Sequence, residues 1–101
     1  MAYIMKTPEG YEKDDICKYL DKGIPIVWYV RTFMAGFGKS GIPDIIGVHR
    51  FKGFFSIEVK REGKEPTAIQ WRRIKEIEAA GGKAFWGTAE KVIKEFEQWV
   101  S

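Results

Sequence analysis

Residues 42–50 and 54–60 are two short segments rich in β-branched and aromatic side chains, and only Phe51-Lys52-Gly53 separates them. Two such segments joined by a tight glycine turn predict a β-hairpin. Side chains alternate between the faces of a strand, so Glu58 and Lys60 share one face and apolar residues occupy the other. The apolar neighbours indicate a central strand, where a charged pair needs a specific reason to be present.

The rest of the sequence predicts helices around this hairpin. Thr7, Pro8 and Glu9 are typical of a helix start, and Gly23 of its end. The predicted order is helix 7–23, strands 24–32, 42–50 and 54–60, helix 67–80, strand 83–87 and helix 88–100. A helix between two strands makes a parallel crossover, so we expect an α/β fold with a mixed sheet flanked by helices. The 101 residues are enough for one core, which predicts a single domain over residues 1–101.

Two carboxylates and a lysine converge on this predicted hairpin. Asp44 lies near the start of its first strand, and Glu58 and Lys60 lie at the end of its second. Two carboxylates at a sheet edge suit Mg²⁺ or Mn²⁺, and a lysine beside them can orient or activate a water molecule. Glu-x-Lys by itself is equally compatible with a solvated ion pair of little energetic value. Only the combination with Asp44 predicts a metal site that cuts phosphodiesters.

Composition excludes several other kinds of site. Cys17 and His49 are the only cysteine and the only histidine, so an internal disulfide and a zinc cluster are both excluded. We expect Cys17 to be a small core residue, in a reducing, intracellular (cytoplasmic) setting. No segment reaches the roughly 20 apolar residues that span a bilayer, which predicts no membrane association.

Basic residues are concentrated in the middle of the chain, although the net charge is only +3. A phosphate-bearing partner would meet this region, and an ordinary solvated surface is an equal alternative. The basic residues of this region are Arg31, Lys39, His49, Arg50, Lys52, Lys60, Arg61, Lys64, Arg72 and Arg73.

A glycine-rich segment, residues 34–41, precedes the hairpin. It contains Gly-Lys-Ser, but the first glycine of a P-loop is missing and a strand follows where a helix should, so nucleotide binding there is rejected. Its glycines allow a close approach to phosphate, with Lys39 and Ser40 as donors. The segment is interpreted as a loop beside the acids, with a plain surface connection as the alternative.

These linked motifs resemble the PD-(D/E)xK nuclease superfamily, and more narrowly the phage-type VRR-NUC domains, which have a restriction-endonuclease-like core. The resemblance extends over almost the whole chain. The matching segments are Thr7-Pro8-Glu9-Gly10, Gly36-Phe-Gly-Lys-Ser-Gly-Ile-Pro-Asp-Ile-Ile-Gly, Phe55-Ser-Ile-Glu-Val-Lys, Lys64-Glu-Pro-Thr-Ala-Ile-Gln and Gly81-Gly82-Lys-Ala-Phe. The hairpin tip, residues 49–53, is longer than in many relatives.

The resemblance implies roles for individual residues. It makes Asp44 and Glu58 metal ligands, with the Val59 carbonyl completing the shell, and Lys60 the catalytic lysine. Glu9, which local sequence explains as a partner of the helix dipole, becomes the helix acid of the site, with Glu12 as second choice. The remaining implied residues are Gln70 in the site and Arg31, Lys39, Ser40, Arg61 and Arg73 on the DNA backbone.

The implied function is a Mg²⁺- or Mn²⁺-dependent DNA endonuclease of a phage or its bacterial host, acting on branched DNA such as Holliday junctions as a homodimer. The alternatives are a non-catalytic DNA-structure-binding module, a flap or nicking nuclease in phage replication and repair, and a structural or regulatory phage protein that binds another protein through its basic face. Symmetric cutting by a domain with one active site requires a two-fold dimer. The aromatic surplus that favours a dimer is Trp28, Tyr29, Phe33, Phe37, Trp71, Trp86 and Trp99.

Overall fold

The computed structural model describes residues 6–33 and 38–101. Its elements are α1 (Pro8–Asp21), β1 (Val27–Arg31), β2 (Ile45–His49), β3 (Gly53–Val59), α2 (Ala68–Ala79), β4 (Lys83–Gly87) and α3 (Ala89–Val100). The strands form one sheet in the order β1-β2-β3-β4, antiparallel from β1 to β3 and parallel between β3 and β4. The predicted mixed α/β sheet, with β3 in the interior and α2 as the crossover, is confirmed.

Two strands are shorter than the sequence predicts. β1 begins at Val27 because the chain still turns at Gly23, whose carbonyl accepts a hydrogen bond from the Ile26 amide at 2.8 Å. β2 begins at Ile45, so Asp44 lies one residue before the strand and not on it. The backbone carbonyl of Asp44 still accepts from an amide beyond the end of β1, which keeps this residue against the sheet.

The hydrophobic core lies between the sheet and the pair α1 and α3. Phe96 of α3 packs edge-on against Phe55 of β3, with ring centroids 5.1 Å apart. Cys17 is buried, as predicted. The core residues are Ile16, Cys17, Leu20, Val27, Ile45, Phe55, Ile57, Val59, Phe85, Ala89, Val92 and Phe96. Burial of this apolar surface provides the main driving force for folding.

The other face of the sheet is only partly covered. Helix α2 packs over the β3 and β4 side, where Ser56 and Glu58 are buried. Trp28, Val48 and Phe54 are register neighbours across β1, β2 and β3 on this face and remain exposed, Trp28 by 61%. The uncovered half is therefore a continuous apolar surface, which we call the open sheet face.

All three helices begin near one end of the sheet. β3 and β4 end at Val59 and Gly87, and α2 and α3 start from the connections that follow. The start of α1 is held at the same end, because Glu12 accepts a hydrogen bond from the first amide of α3 at 3.2 Å. The caps are Thr7, Thr67 and Thr88, whose side chains accept from backbone amides of the first turns. The positive ends of three helix dipoles therefore surround this end of the sheet.

None of the helices in the described ranges is both long and apolar enough to cross a bilayer.

Candidate active site

The carboxylates of Asp44 and Glu58 meet at the end of the sheet surrounded by the helix starts. One oxygen of Asp44, Oδ2, accepts a hydrogen bond of 2.8 Å from the Val59 amide, which ties Asp44 to the end of β3. Antiparallel pairing of β2 with β3 places Ile45 opposite Ile57, so the residues before one and after the other are neighbours. The predicted convergence of the two acids therefore follows from the hairpin register.

Glu58 has one satisfied and one unsatisfied oxygen. Its side chain is buried, with 5% exposure. Oε1 accepts a hydrogen bond of 2.7 Å from Gln70 Nε2. Oε2 is buried and has no hydrogen-bond partner in the described part of the chain. A buried carboxylate oxygen without a donor is costly and calls for a proton or a cation.

The electrostatics of Glu58 agree with this geometry. Burial raises the pKa of Glu58 from 4.5, and the Asp44 carboxylate raises it further, to about 8. The Lys60 ammonium opposes this increase in pKa, and Glu9 adds a smaller contribution to it. Two neighbouring carboxylates that repel each other, one buried and one partly exposed, are a usual setting of a divalent cation.

Lys60 follows β3 directly and points to the same face as Glu58. Its exposure is only 9%, and its amide donates to the Gly87 carbonyl at 2.8 Å. Val59 between them points into the core, which agrees with the predicted alternation. Lysine is seldom this buried without a role, since burial of the ammonium costs solvation energy.

The two candidate acids of α1 lie in different surroundings. Glu12 is engaged at the start of α3, where it accepts the Ala89 amide. Glu9 lines a surface cleft of about 390 Å³ together with Lys60, and its negative charge raises the pKa of Glu58. The structure thus places Glu9 near Glu58, whereas Glu12 makes a contact that joins α1 to the start of α3.

Gln70 connects the site to the start of α2. Its Oε1 accepts the Thr67 amide at 2.9 Å, which closes a capping box with the Thr67 side chain. Its Nε2 donates to Glu58. Because one amide group serves the helix cap and the carboxylate together, Gln70 fixes the orientation of Glu58.

The donor set fits a divalent cation with few protein ligands. Within residues 6–33 and 38–101, no three His, Cys, Asp or Glu side chains come together as a metal-binding group. Mg²⁺ commonly uses one or two carboxylates and takes its remaining ligands from water and substrate phosphates. Asp44 and the unpartnered Oε2 of Glu58 meet this requirement, with the Val59 carbonyl as the predicted third ligand.

Some of the residues predicted to contact DNA already bind other protein groups, and others do not. Arg31 forms an ion pair with Asp14 at 2.8 Å. Arg73 donates to the Ser40 carbonyl at 2.8 Å and pairs with Glu76, so it anchors the loop before β2 on α2. The candidates that are exposed and form no ion pair among the described residues are Lys39, Ser40 and Arg61. Gly36 and Phe37, which belong to the predicted loop and the aromatic surplus, lie outside the described residues.

Lys13 is a site residue that sequence reasoning missed. Its ammonium lies 3.2 Å from Oδ1 of Asp44, the oxygen that Val59 does not use. Lys13 follows Glu9 by four residues, so both lie on one face of α1. That spacing was the available signal, but nothing local shows which face of α1 meets Asp44.

Comparison with known proteins identifies a solved structure with the same fold. A solved structure of a VRR_NUC domain is similar to this chain with a TM-score of 0.75 and 22% sequence identity, over 91% of this chain and 97% of that one. No model of a protein family matches the sequence, and no curated protein matches it. At this identity the likeness concerns the fold, and it agrees with the resemblance found in the sequence. The chain therefore has the restriction-endonuclease-like fold of a VRR_NUC domain.

Proposed function

We propose that this protein is a metal-dependent DNA endonuclease that hydrolyses phosphodiester bonds. The observation that carries the proposal is the buried Glu58 carboxylate, whose Oε2 has no partner in the described structure although Asp44 and Lys60 lie beside it. The fold shared with a VRR_NUC domain supports the same reading.

The roles of the residues follow from their positions. Asp44, Glu58 and the Val59 carbonyl would hold Mg²⁺ or Mn²⁺, with Glu9 acting through water. A divalent ion held there would polarise the phosphate and would make a water molecule more acidic. The Lys60 ammonium lies at the same end of the sheet. Its role is to position the attacking water and to stabilise the negative charge that develops on the phosphate.

The surroundings suit a DNA backbone. The starts of α1, α2 and α3 lie at this end of the sheet, and the positive ends of their dipoles favour a phosphate there. Lys39, Ser40 and Arg61 are exposed and add side-chain donors. Contacts of this kind give salt-dependent binding that is largely independent of sequence.

Branched DNA and a homodimer belong to the same proposal. A chain with one site needs a two-fold partner to nick both strands of a junction symmetrically. The open sheet face, with Trp28, Val48 and Phe54 exposed, is the apolar surface available for a second copy. Trp99, by contrast, is partly buried and packs against the core beside Phe96, so it does not belong to the open sheet face.

The direct test is incubation of the purified protein with labelled four-way, flap and linear duplex DNAs in Mn²⁺. We expect cutting of at least the branched DNAs, with paired nicks in the four-way junction. Asp44→Ala should abolish cutting, and Asp15→Ala, an exposed acid of α1, should not. Binding of branched DNA without cutting would instead identify a DNA-structure-binding module, and the absence of both would refute the proposal.

Lys13→Met should tighten the binding of Mn²⁺ by the metal-free protein. In the structure the Lys13 ammonium occupies the side of Asp44 that a cation would use. A partly exposed ion pair contributes about 1 kcal/mol, so the dissociation constant should fall roughly fivefold. Calorimetric titration measures it, with Lys18→Met on an exposed face of α1 as the control. Unchanged or weaker affinity would show that Lys13 does not compete with the metal.

A further inference from the structure

A second cleft of the described structure lies beside the candidate active site, and apart from Arg61 its lining has no role in the proposed reaction. It measures about 630 Å³ and lies between residues 61–65 and the start of α3. Its lining includes the indole of Trp86 and the basic residues Arg61, Lys64, Lys91 and Lys94. We call this surface the β4 cleft.

The β4 cleft is continuous with the site. Glu58 and Trp86 are register partners in the parallel pair β3 and β4, so their side chains lie side by side on one face of the sheet. Arg61 and Lys64 line both the β4 cleft and the smaller cleft that contains Glu9 and Lys60. A strand that leaves the site past these two residues enters the β4 cleft.

The charges of the β4 cleft leave cations available to a ligand. In the described ranges, Arg61, Lys64 and Lys94 form no ion pair within 4 Å. Lys91 is engaged with the Trp86 carbonyl at 2.6 Å and with Glu95. The lining also includes the acids Glu62, Glu65 and Glu90, so the cleft is mixed in charge and suits spaced phosphates better than a compact anion.

Trp86 gives the β4 cleft an aromatic wall. The indole is half-buried and packs edge-on against Trp71 of α2, with ring centroids 5.4 Å apart. The Lys91 ammonium lies 3.9 Å from its ring centroid. An aromatic ring with unpaired cations nearby is the combination by which proteins bind unpaired nucleotides, and a base that stacks on this face of Trp86 displaces the Lys91 ammonium from it.

We propose that the β4 cleft binds a single-stranded DNA segment continuous with the strand held at the site. A base can stack on a side chain in a cleft only when it is unpaired, so the cleft selects DNA with a tail or an opened branch over blunt duplex. The inference rests on the proposed nuclease function and specifies its substrate class.

Fluorescence anisotropy in EDTA tests the cleft without cutting. The probes are a labelled blunt duplex and the same duplex with a 5′ or a 3′ single-stranded tail. The wild type should bind one tailed duplex more tightly than the blunt one. Lys64→Glu/Lys94→Glu should weaken binding of that tailed duplex at least tenfold and remove its advantage. Lys18→Glu/Lys22→Glu is the control, because it makes the same charge change at exposed positions away from the cleft.

Trp86→Leu separates stacking from charge. It should weaken binding of the tailed duplex about tenfold while the salt dependence stays the same, since no phosphate contact is removed. Equal effects of the charge variant and its control, or equal losses on blunt and tailed duplexes, would overturn the proposal. Cutting of branched DNA by the wild type in Mn²⁺ under either of those outcomes would leave the nuclease function standing and refute the cleft alone.

Discussion

Lys60→Met should reduce the rate of DNA cleavage by a factor on the order of 10³ while the protein still binds DNA. The substitution keeps most of the side-chain volume at a position that is only 9% exposed, so the fold should tolerate it. It removes a positive charge that lowers the pKa of Glu58 and that would stabilise the attacked phosphate. Single-turnover cleavage in Mn²⁺ and anisotropy in EDTA measure the two properties separately.

The control for Lys60 is Lys75→Met, because Lys75 is an exposed lysine of α2. We expect that variant to cut at the wild-type rate. A Lys60→Met variant that cuts as fast as the wild type would exclude Lys60 from the chemistry. A variant that fails to bind DNA would instead assign Lys60 to substrate binding.

Glu58→Gln should stabilise the metal-free protein at alkaline pH while abolishing its stabilisation by metal. The pKa of Glu58 is about 8 in the folded protein, against 4.5 for the ordinary group. The folded state therefore holds a proton that the unfolded state has lost, and the free energy of unfolding falls as the pH rises from about 4.5 to about 8. At about 1.4 kcal/mol per pKa unit, the difference between 4.5 and about 8 corresponds to a gain on the order of 5 kcal/mol for the variant at pH 8.5.

Urea unfolding in EDTA at several pH values measures this effect. The advantage of Glu58→Gln over the wild type should be small near pH 4.5, increase up to about pH 8 and then remain constant. Addition of Mn²⁺ at pH 8.5 should raise the stability of the wild type and leave that of the variant unchanged. Glu62→Gln, at an exposed acid, is the control. Parallel pH profiles for wild type and variant would contradict the buried, charge-repelled position of Glu58.

Local patterns in the sequence were sufficient for the elements and for the central part of the site. The helices predicted to begin at residues 7, 67 and 88 each have a threonine cap at that residue, and alternation predicted which side chains of β3 enter the core. Asp44 and Glu58 could be placed together because a hairpin pairs residues that are close in sequence, so its register follows from the turn. The start of β2 was misplaced because apolar content alone does not show where backbone pairing begins.

Contacts between distant elements required the tertiary structure. Glu9 and Glu12 lie three residues apart on α1, and only the docking of α1 beside α3 directs Glu12 to Ala89 and leaves Glu9 near Lys60. The same docking brings Lys13 to Asp44.

Sequence by itself determined the order of elements, the buried faces and the hairpin acids, because these depend on capping, periodicity and short-range pairing. The packing of helices on the sheet decided which α1 acid faces the site, that Gln70 holds Glu58, and that Trp86 lies next to it across β3 and β4. These contacts join residues far apart in the chain, and their geometry is set by the shape of the whole core and by no local preference.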